Sequence, residues 1–498
     1  MPPSRPRAIG AAWVLLALAG GLLWALCFQR RPLSLASWLA LAPLFPLLAH
    51  RRAGRLVWLH GVAFWVGSIP WIASTVREYG GLPEAASWLV LLGLAGVLAL
   101  FQLPFGLLGP RLWRGSGPAA PFTLAALWTA LEWARAHLLT GFPWNLAGTA
   151  WAELPGALEL APWSGVYGLS FLVVLVNAGA ALAARRRSLK PLAVTWLPVL
   201  AALAGAQLGA TPLPVEGEDA ATVHLLQPNA AVSMTFDPER ARSDYRQLER
   251  MSTAACRARP GLLIWPESAA WPFTPALHDF LRRDLERLGA MGCPVLLNAA
   301  ERRDGASYNA VLLTRPGGGG FERTAKRHLV PFGEYVPAPV RILPGVGKLA
   351  RNVGDFTPGE SAHPLPWGAE RLGVSVCYEV IFPAEVAATV RRGATGLVNV
   401  NNDGWYGDTA APWQHFRAAR LRAAEMRRPL LRAALTGVSG VVAADGRVVS
   451  RLGVGERGVI TVRVSGRRGL TPAARLPWLT PAAALLLAAF AIFRASRR

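Results

Sequence analysis

Long apolar runs occupy the first 210 residues of the chain, whereas most of the remainder has short apolar runs separated by turn residues. An apolar helix of about 20 residues is long enough to cross the hydrocarbon core of a bilayer. The pattern therefore predicts eight membrane spans, of which the second and fifth are short. Their predicted bounds are 8–28, 35–48, 56–74, 86–108, 119–133, 168–184, 192–210 and 476–493.

The basic residues between these spans are distributed unequally. Cytoplasmic loops of membrane proteins carry an excess of Lys and Arg, so the richer side is predicted to be cytoplasmic. If the N-terminus is inside, the inside segments contain Arg5, Arg7, Arg51, Arg52, Arg55, Arg111, Arg114, Arg185, Arg186, Arg187, Lys190, Arg494, Arg497 and Arg498. The short outside loops contain only Arg30, Arg31, Arg77 and Arg135. Both termini are thus predicted to be cytoplasmic, with the long segment between spans seven and eight on the outer face.

Composition supports a membrane protein more than a nucleic-acid-binding one. The chain is 52% hydrophobic and only 16% charged, against about 25% charged residues in a typical soluble domain. The net charge of +22 suggests nucleic acid at first. Because many Arg residues lie in short clusters between apolar runs, we assign that charge to membrane orientation and contact with anionic lipid.

The segment from about residue 215 to 469 mixes strands and helices. Its alternating and short apolar runs predict strands at 222–226, 262–265, 294–298, 309–314, 372–377, 396–400, 438–443 and 447–452, and helices at 276–288 and 413–428. About 255 residues are enough for one α/β domain with a sizeable core. We predict a membrane domain at 1–212 with seven helices, an extracytoplasmic α/β domain at 213–470, and a last span with a cytoplasmic tail at 471–498.

Two further features are open to alternative interpretations. The outside loop 136–163 is long, is rich in Trp, Pro and Gly, and contains Gly-Phe-Pro-Trp-Asn at 141–145. It is either an aromatic anchor at the membrane interface or a wall or lid where lipid enters. The four cysteines match no zinc pattern and no disulfide-dense scaffold, although a Cys256–Cys293 bridge is possible.

Three polar positions stand out against the apolar strands of the soluble segment. Glu267 follows a predicted strand and a proline, Lys326 lies in a basic cluster, and Cys377 ends the strand that begins near Gly373. Catalytic groups of α/β folds are commonly displayed at strand ends. A partly desolvated carboxylate near Trp265 serves as a general base, a lysine stabilises an oxyanion, and a thiol is a nucleophile. Together these groups are the set needed for acyl transfer.

The motifs around these residues resemble those of a known family. Trp-Pro-Glu at 265–267, Lys-x-His-Leu-Val-Pro-Phe-Gly-Glu at 326–334 and Cys-Tyr-Glu at 377–379 are similar to the Glu–Lys–Cys motifs of the nitrilase superfamily. With eight spans, and with the segments 401–407 and 412–416, nearly the whole chain resembles the bacterial apolipoprotein N-acyltransferases.

This resemblance implies a fold, a reaction and a set of roles. The fold would be an α-helical transmembrane bundle plus a nitrilase-like αββα sandwich on the outer face of the inner membrane. Glu267 would be the base, Lys326 the stabiliser of the transition state and Cys377 the nucleophile. Three more positions of the motifs, Glu334, Tyr378 and Glu379, would support them. Glu334 would orient Lys326 or relay a proton.

The resemblance also implies substrate contacts at two aromatic positions, Phe236 and Trp405. The family carries a Trp soon after the first strand of the domain, and Phe236 is the nearest aromatic residue here, so it would replace the apolar contact but not an indole N–H donor. Mobile apolar loops at 343–353 or 402–407 would keep water from the site.

The implied reaction moves a fatty acyl chain from a membrane phospholipid to the amine of a diacylglyceryl-cysteine at an apolipoprotein N-terminus. It would proceed through a Cys377 thioester by ping-pong chemistry, without a metal, a cofactor or nucleic acid. Two alternatives remain at this stage. One is a membrane-tethered amidase or nitrilase acting on small amides, and the other is a transporter with a ligand-binding outer domain.

Overall fold

The computed structural model describes residues 10–210, 219–233, 235–315, 319–337 and 355–497, so the predicted mobile loop at 343–353 lies outside the described residues. The helices are α1 (Ala11–Ala25), α2 (Leu44–Leu47), α3 (Ala53–Ser68), α4 (Trp71–Gly80), α5 (Glu84–Leu100), α6 (Leu103–Gly115), α7 (Ala120–His137), α8 (Ala157–Arg186), α9 (Lys190–Leu208), α10 (Pro238–Ala258), α11 (Asp279–Ala290), α12 (Pro383–Arg391), α13 (Ala411–Met426), α14 (Pro472–Arg475) and α15 (Leu479–Ser496). The strands are β1 (Ala221–Gln227), β2 (Leu262–Ile264), β3 (Val295–Arg303), β4 (Ala306–Thr314), β5 (Phe321–Ala325), β6 (Leu365–Trp367), β7 (Glu370–Val376), β8 (Gly396–Asn401), β9 (Leu430–Ala434), β10 (Ser439–Val442), β11 (Val448–Leu452) and β12 (Gly458–Val464).

Several helices are long and apolar enough to cross a membrane. Within the described residues there are five such segments, which contain α1, α5 with α6, α8, α9 and α15, and a sixth if α3 and α4, bent by 59°, form one span. They coincide with the predicted spans one, three, four, six, seven and eight, and α7 covers the predicted fifth. A helical membrane bundle is therefore confirmed, while the number of eight spans stays a prediction.

The predicted second span, 35–48, is not one α-helix. It consists of a 3-10 turn at Ser34–Trp38, further turns and the short α2. Pro43 and Pro46 lack the N–H group that an α-helical ladder needs there. Buried Asn177 in α8 accepts from one backbone N–H of the segment at 3.0 Å and donates to one of its carbonyls at 2.8 Å. Backbone groups at membrane depth need such partners.

The soluble segment folds into two facing six-stranded sheets. One has the strand order β12-β1-β2-β3-β4-β5 and the other β11-β10-β9-β8-β7-β6. Apolar side chains from both sheets form one buried cluster between them. Helices α10 and α11 pack on the outer face of the first sheet, and α12 and α13 pack beyond the second. This arrangement is the predicted αββα sandwich.

A disulfide bond connects the helices on the outer face of the first sheet to that sheet. Cys256, near the end of α10, is bonded to Cys293, just before β3, with 6.0 Å between the two Cα atoms. The possible bridge of the sequence analysis is therefore present. The other two cysteines, Cys27 and Cys377, are free and buried.

Helix α13 connects the sandwich to the membrane bundle through one buried amide. The side-chain oxygen of Gln414 accepts from the indole N–H groups of Trp144 at 2.7 Å and Trp71 at 3.2 Å. Its nitrogen donates to the carbonyls of Phe28 at 2.9 Å and Ser68 at 2.7 Å, near the ends of α1 and α3. One side chain thus provides hydrogen-bond donors to backbone carbonyl groups near the ends of two membrane helices. These bonds hold the sheet that carries Cys377 close to the bundle.

Candidate active site

The structure brings the three predicted catalytic side chains together. Glu267 lies three residues beyond β2, Lys326 directly follows β5, and Cys377 directly follows β7. Two strands belong to one sheet and the third to the other, so the site forms where the sheets face each other. All three residues are buried, and Lys326 Nζ lies 3.8 Å from Glu267 Oε1. The Cys377 thiol lies close enough to Glu267 and Lys326 for the charge of each to shift its pKa.

Glu334 is the nearest partner of the lysine. Its two oxygens lie 3.0 and 2.9 Å from Lys326 Nζ. Asn309 in β4 donates to Glu334 at 2.7 Å and to Glu267 at 3.2 Å. Burial alone would lower the pKa of Lys326, but the carboxylates of Glu334 and Glu267 raise it above its ordinary value. The ammonium is therefore a permanent cation, suited to stabilise negative charge and unsuited to act as a base.

The pKa values of the base and the thiol indicate how the nucleophile is activated. Burial raises the pKa of Glu267, and the positive charge of Lys326 opposes that rise. Burial and the Glu267 carboxylate raise the pKa of Cys377 well above its ordinary value, again against Lys326. The resting thiol is thus protonated. A thiol in this state needs a base within reach at the moment of attack.

The backbone at Cys377 is held in an uncommon conformation by Glu379. The φ angle of Cys377 is +51°, a left-handed value that costs energy for a residue with a side chain. Cys377 begins a 3-10 turn that ends at Ile381. Glu379 Oε2 accepts from the backbone N–H of Val376 at 2.7 Å, and Oε1 accepts from the N–H groups of Arg327 and His328 at 2.7 and 3.1 Å. One carboxylate therefore joins the thiol turn to the segment that carries the lysine.

We predict that Glu379→Gln impairs both stability and rate. The amide of glutamine has only one acceptor oxygen, so its NH₂ group would face a buried N–H that now has an acceptor. The expected loss is about 1–3 kcal/mol in the free energy of unfolding, the usual cost of a buried polar group without a partner. Thermal unfolding and the acylation rate of Cys377 check this. An unchanged stability together with an unchanged acylation rate would contradict the role of Glu379 in joining the two segments. Glu385→Gln, which changes a half-exposed partner of Arg327, is the matched control.

Tyr378 faces the membrane bundle. Its hydroxyl donates to the carbonyl of Gly141 at 3.2 Å, and its ring stacks on Trp144 with 6.4 Å between the centroids. Trp144 is 2% exposed, so it does not face lipid. The Gly-Phe-Pro-Trp-Asn segment therefore lies beside the thiol turn, while the choice between an interfacial anchor and a wall or lid where lipid enters stays a prediction.

The two predicted substrate-binding aromatic residues each pack against another aromatic ring. Phe236 is 49% exposed, and its ring meets the edge of Trp271 at 5.7 Å. The ring of Trp405 contacts Tyr79 of α4 at 4.9 Å, and its carbonyl accepts from Thr75 at 2.9 Å. Trp405 thus joins a loop of the sandwich to the bundle, and the roles of both residues in binding substrate stay predictions.

Sequence reasoning missed the amides that order this site. Asn298 donates to Asn309 at 2.6 Å and accepts from the N–H of Ser268 at 3.0 Å. The backbone N–H of Asn402 donates to Glu267 Oε2 at 3.0 Å. The only signal in the sequence was an asparagine within each of two otherwise apolar strand segments, because a buried amide is rarely placed in a core without a partner.

Both parts of the chain match known protein families. The family model described as the apolipoprotein N-acyltransferase N-terminal domain matches residues 20–179, and the carbon-nitrogen hydrolase model matches residues 229–472. The apolipoprotein N-acyltransferase of Geobacter metallireducens is 37% identical over 87% of this chain and 86% of its own length. That of Caulobacter vibrioides is 34% identical over 83% and 81%, and that of Haemophilus ducreyi is 28% identical over 96% of both chains.

The similar solved structures are more distant in sequence and cover about half of the chain. An amidase from Nesterenkonia sp. aligns with 51% of this chain and 93% of its own at 22% identity and a TM-score of 0.38. The sequence relatives, in contrast, extend over the membrane part and the sandwich together. The chain belongs to the apolipoprotein N-acyltransferase family.

Proposed function

We propose that this enzyme transfers a fatty acyl chain from a membrane phospholipid to the N-terminal amine of the diacylglyceryl-cysteine of an apolipoprotein, through a thioester on Cys377. The observation that carries the proposal is the position of the thiol turn. Tyr378, the next residue, donates to the Gly141 carbonyl of the membrane bundle. A nucleophile at this junction suits a substrate held in the bilayer.

In the first half-reaction, Glu267 takes the thiol proton as Cys377 sulfur attacks an ester carbonyl of the phospholipid. The developing oxyanion is stabilised by the Lys326 ammonium and by backbone N–H groups at the start of the 3-10 turn, which have no acceptor within that turn. When the C–O bond breaks, Glu267 returns the proton to the leaving alkoxide. A lysophospholipid departs and the acyl chain remains on sulfur.

In the second half-reaction, the neutral α-amine of the apolipoprotein cysteine attacks the thioester carbonyl. An α-amine has a pKa of about 8, so a useful fraction is unprotonated near neutral pH. Glu267 accepts the proton that nitrogen loses and passes it to the Cys377 thiolate as the C–S bond breaks. An amide forms, the thiol is regenerated, and the site returns to its starting charge.

We also assign a division of the chain and a location to this function. Residues 1–212 form the membrane domain, 213–470 the catalytic domain on the periplasmic face of the inner membrane, and 471–498 the last span and cytoplasmic tail. Two observations support the outer face: the excess of arginine in the predicted inside segments, and the Cys256–Cys293 bond, since disulfides persist in oxidising compartments. Phe236 and Trp405 are assigned to substrate contact at the edge of the site.

The test is a transfer assay with the purified enzyme, a phosphatidylethanolamine with a labelled acyl chain, and a diacylglyceryl-cysteinyl peptide. The proposal predicts labelled amide on the peptide and none when the peptide amine is acetylated. The alternative, an amidase of small amides, predicts ammonia release from small amides and no label on the peptide. That result, obtained with folded enzyme, would overturn the proposal.

A further inference from the structure

A buried histidine lies behind the thiol turn and takes no part in the two half-reactions. His415, on α13, is fully buried, and its Nε2 lies 3.0 Å from the carbonyl oxygen of Cys377. Because a carbonyl only accepts, Nε2 carries the proton in this hydrogen bond. Asn399 of β8 donates to the same oxygen at 3.3 Å. Two elements therefore hold one peptide group, the one that joins Cys377 to Tyr378.

The other side of the imidazole ring is fixed by a buried ion pair. His415 Nδ1 lies 2.9 Å from Asp403 Oδ1 and 3.2 Å from a guanidinium nitrogen of Arg432. Arg432 also bonds to Asp403 Oδ2 at 2.8 Å and to the side-chain oxygen of Asn399. Nδ1 thus faces an acceptor and a donor, and has a partner whether or not it is protonated. The four side chains form one closed network behind the nucleophile.

Holding this carbonyl has a consequence on the opposite side of the same peptide. The C=O and N–H groups of a trans peptide point in opposite directions within one plane. Fixing the Cys377 carbonyl therefore fixes the direction of the Tyr378 N–H, which lies in the first turn of the 3-10 segment and has no acceptor within that turn. The uncommon φ of Cys377 makes such support necessary, because the peptide would otherwise relax to a more favourable orientation.

We propose that His415, held in place by Asp403 and Arg432, is a positioning residue that orients the Cys377–Tyr378 peptide so that its N–H stabilises the oxyanion of acyl transfer. The inference rests on the proposed function of Cys377 as nucleophile. It adds a role for α13, the helix that also anchors the sandwich to the bundle through Gln414.

The two amide substitutions of His415 separate this role from a general structural one. The terminal nitrogen of glutamine can occupy the position of Nε2 and donate to the Cys377 carbonyl. The side-chain amide of the shorter asparagine reaches only the position of Nδ1. It keeps the contact with Asp403 and loses the hydrogen bond to the Cys377 carbonyl. Both are buried polar residues of similar character, and thermal unfolding of each variant is measured to record any general loss of stability.

Two rates are measured on each full-length variant: acylation of Cys377 by phosphatidylethanolamine in a single turnover, and alkylation of the same thiol by iodoacetamide, which forms no oxyanion. We expect His415→Asn to lower the maximal acylation rate about 100-fold, the scale of a 1 Å misplacement, with little change in the lipid concentration at half-maximal rate. His415→Gln should stay within a few fold of wild type, and alkylation should be unchanged in both.

Equal acylation rates in the two variants, or a parallel fall in alkylation, would overturn the inference. If His415→Asn does not fold, Asn399→Ala removes the other donor to the same carbonyl and must show the same pattern of slow acylation with normal alkylation. The wild type in the same assay separates the two claims. If wild-type Cys377 is not acylated by phospholipid, the proposed function is wrong. If the wild type is acylated and the variants are acylated at the same rate, only the role of His415 is wrong.

Discussion

Cys377→Ala is expected to abolish acyl transfer, with a loss of at least about 10⁴-fold in turnover, because removing the nucleophile of a covalent mechanism leaves only binding and electrostatic contributions. The substitution removes one sulfur atom from a side chain that is 6% exposed and leaves the backbone hydrogen bonds of Cys377 in place. The fold should therefore persist. The measurement is labelled amide formation on the acceptor peptide, with thermal unfolding recorded in parallel.

The chain offers a matched control in its other free cysteine. Cys27 is also buried, but it lies in the 3-10 turn just after α1, within the membrane part. Cys27→Ala should keep activity within a few fold of wild type. The comparison would show that activity depends on the thiol at position 377 and not on the loss of any buried thiol. Substantial transfer by folded Cys377→Ala would show that the acyl group never resides on this sulfur.

Glu267→Gln is expected to lower the acylation rate about 10³-fold, within the range for loss of a general base. The amide has nearly the same shape as the carboxylate, and its oxygen can still accept from the N–H of Asn402. It cannot take a proton from a thiol whose pKa is raised by burial. The rate should be measured in a single turnover with phosphatidylethanolamine, which isolates the first half-reaction.

Glu267 also determines how the acylation rate falls at low pH. Burial raises the pKa of Glu267 above its ordinary value of 4.5. The carboxylate form is the base, so the wild-type rate should fall as the pH drops through a value above 4.5. In Glu267→Gln this limb should be absent. Glu322→Gln, which alters a partly exposed carboxylate on β5 paired with Arg315, is the control and should leave rate and profile unchanged. A Glu267→Gln variant with more than a tenth of the wild-type rate would assign the base elsewhere.

The strands that lead to Glu267 and Cys377 were predictable because their apolar pattern and the residues that end them agree, whereas β5, which leads to Lys326, was not predicted. The strands before Glu267 and Cys377 are short apolar runs that end at polar residues, and the structure places both strand ends at one site. The helix Pro238–Ala258 was not predicted, although Asp237 caps it by accepting from the N–H groups of Glu239 and Arg240. The helix is rich in charged residues, so its single apolar face, which packs on the sheet, was not recognised in the sequence.

Other features depend on contacts between distant parts of the chain, which a sequence does not display. Gln414 is separated by more than 250 residues from Trp144, yet the two share a hydrogen bond at 2.7 Å. The irregular second membrane segment is stable because Asn177 satisfies its backbone, and a hydropathy pattern carries no such information. For the same reason the network of His415, Asp403 and Arg432 could not be found from spacing alone.

The most direct test of the central claim is the intact mass of the detergent-purified protein after mixing with phosphatidylethanolamine, beside Cys377→Ser. With a Cys377 thioester, the wild type gains the mass of one fatty acyl group and neutral hydroxylamine removes it, whereas the serine variant gains either no group or one that resists hydroxylamine. Folded wild-type protein that gains no mass from any phospholipid, or an adduct on the wild type that resists hydroxylamine, would contradict a Cys377 thioester.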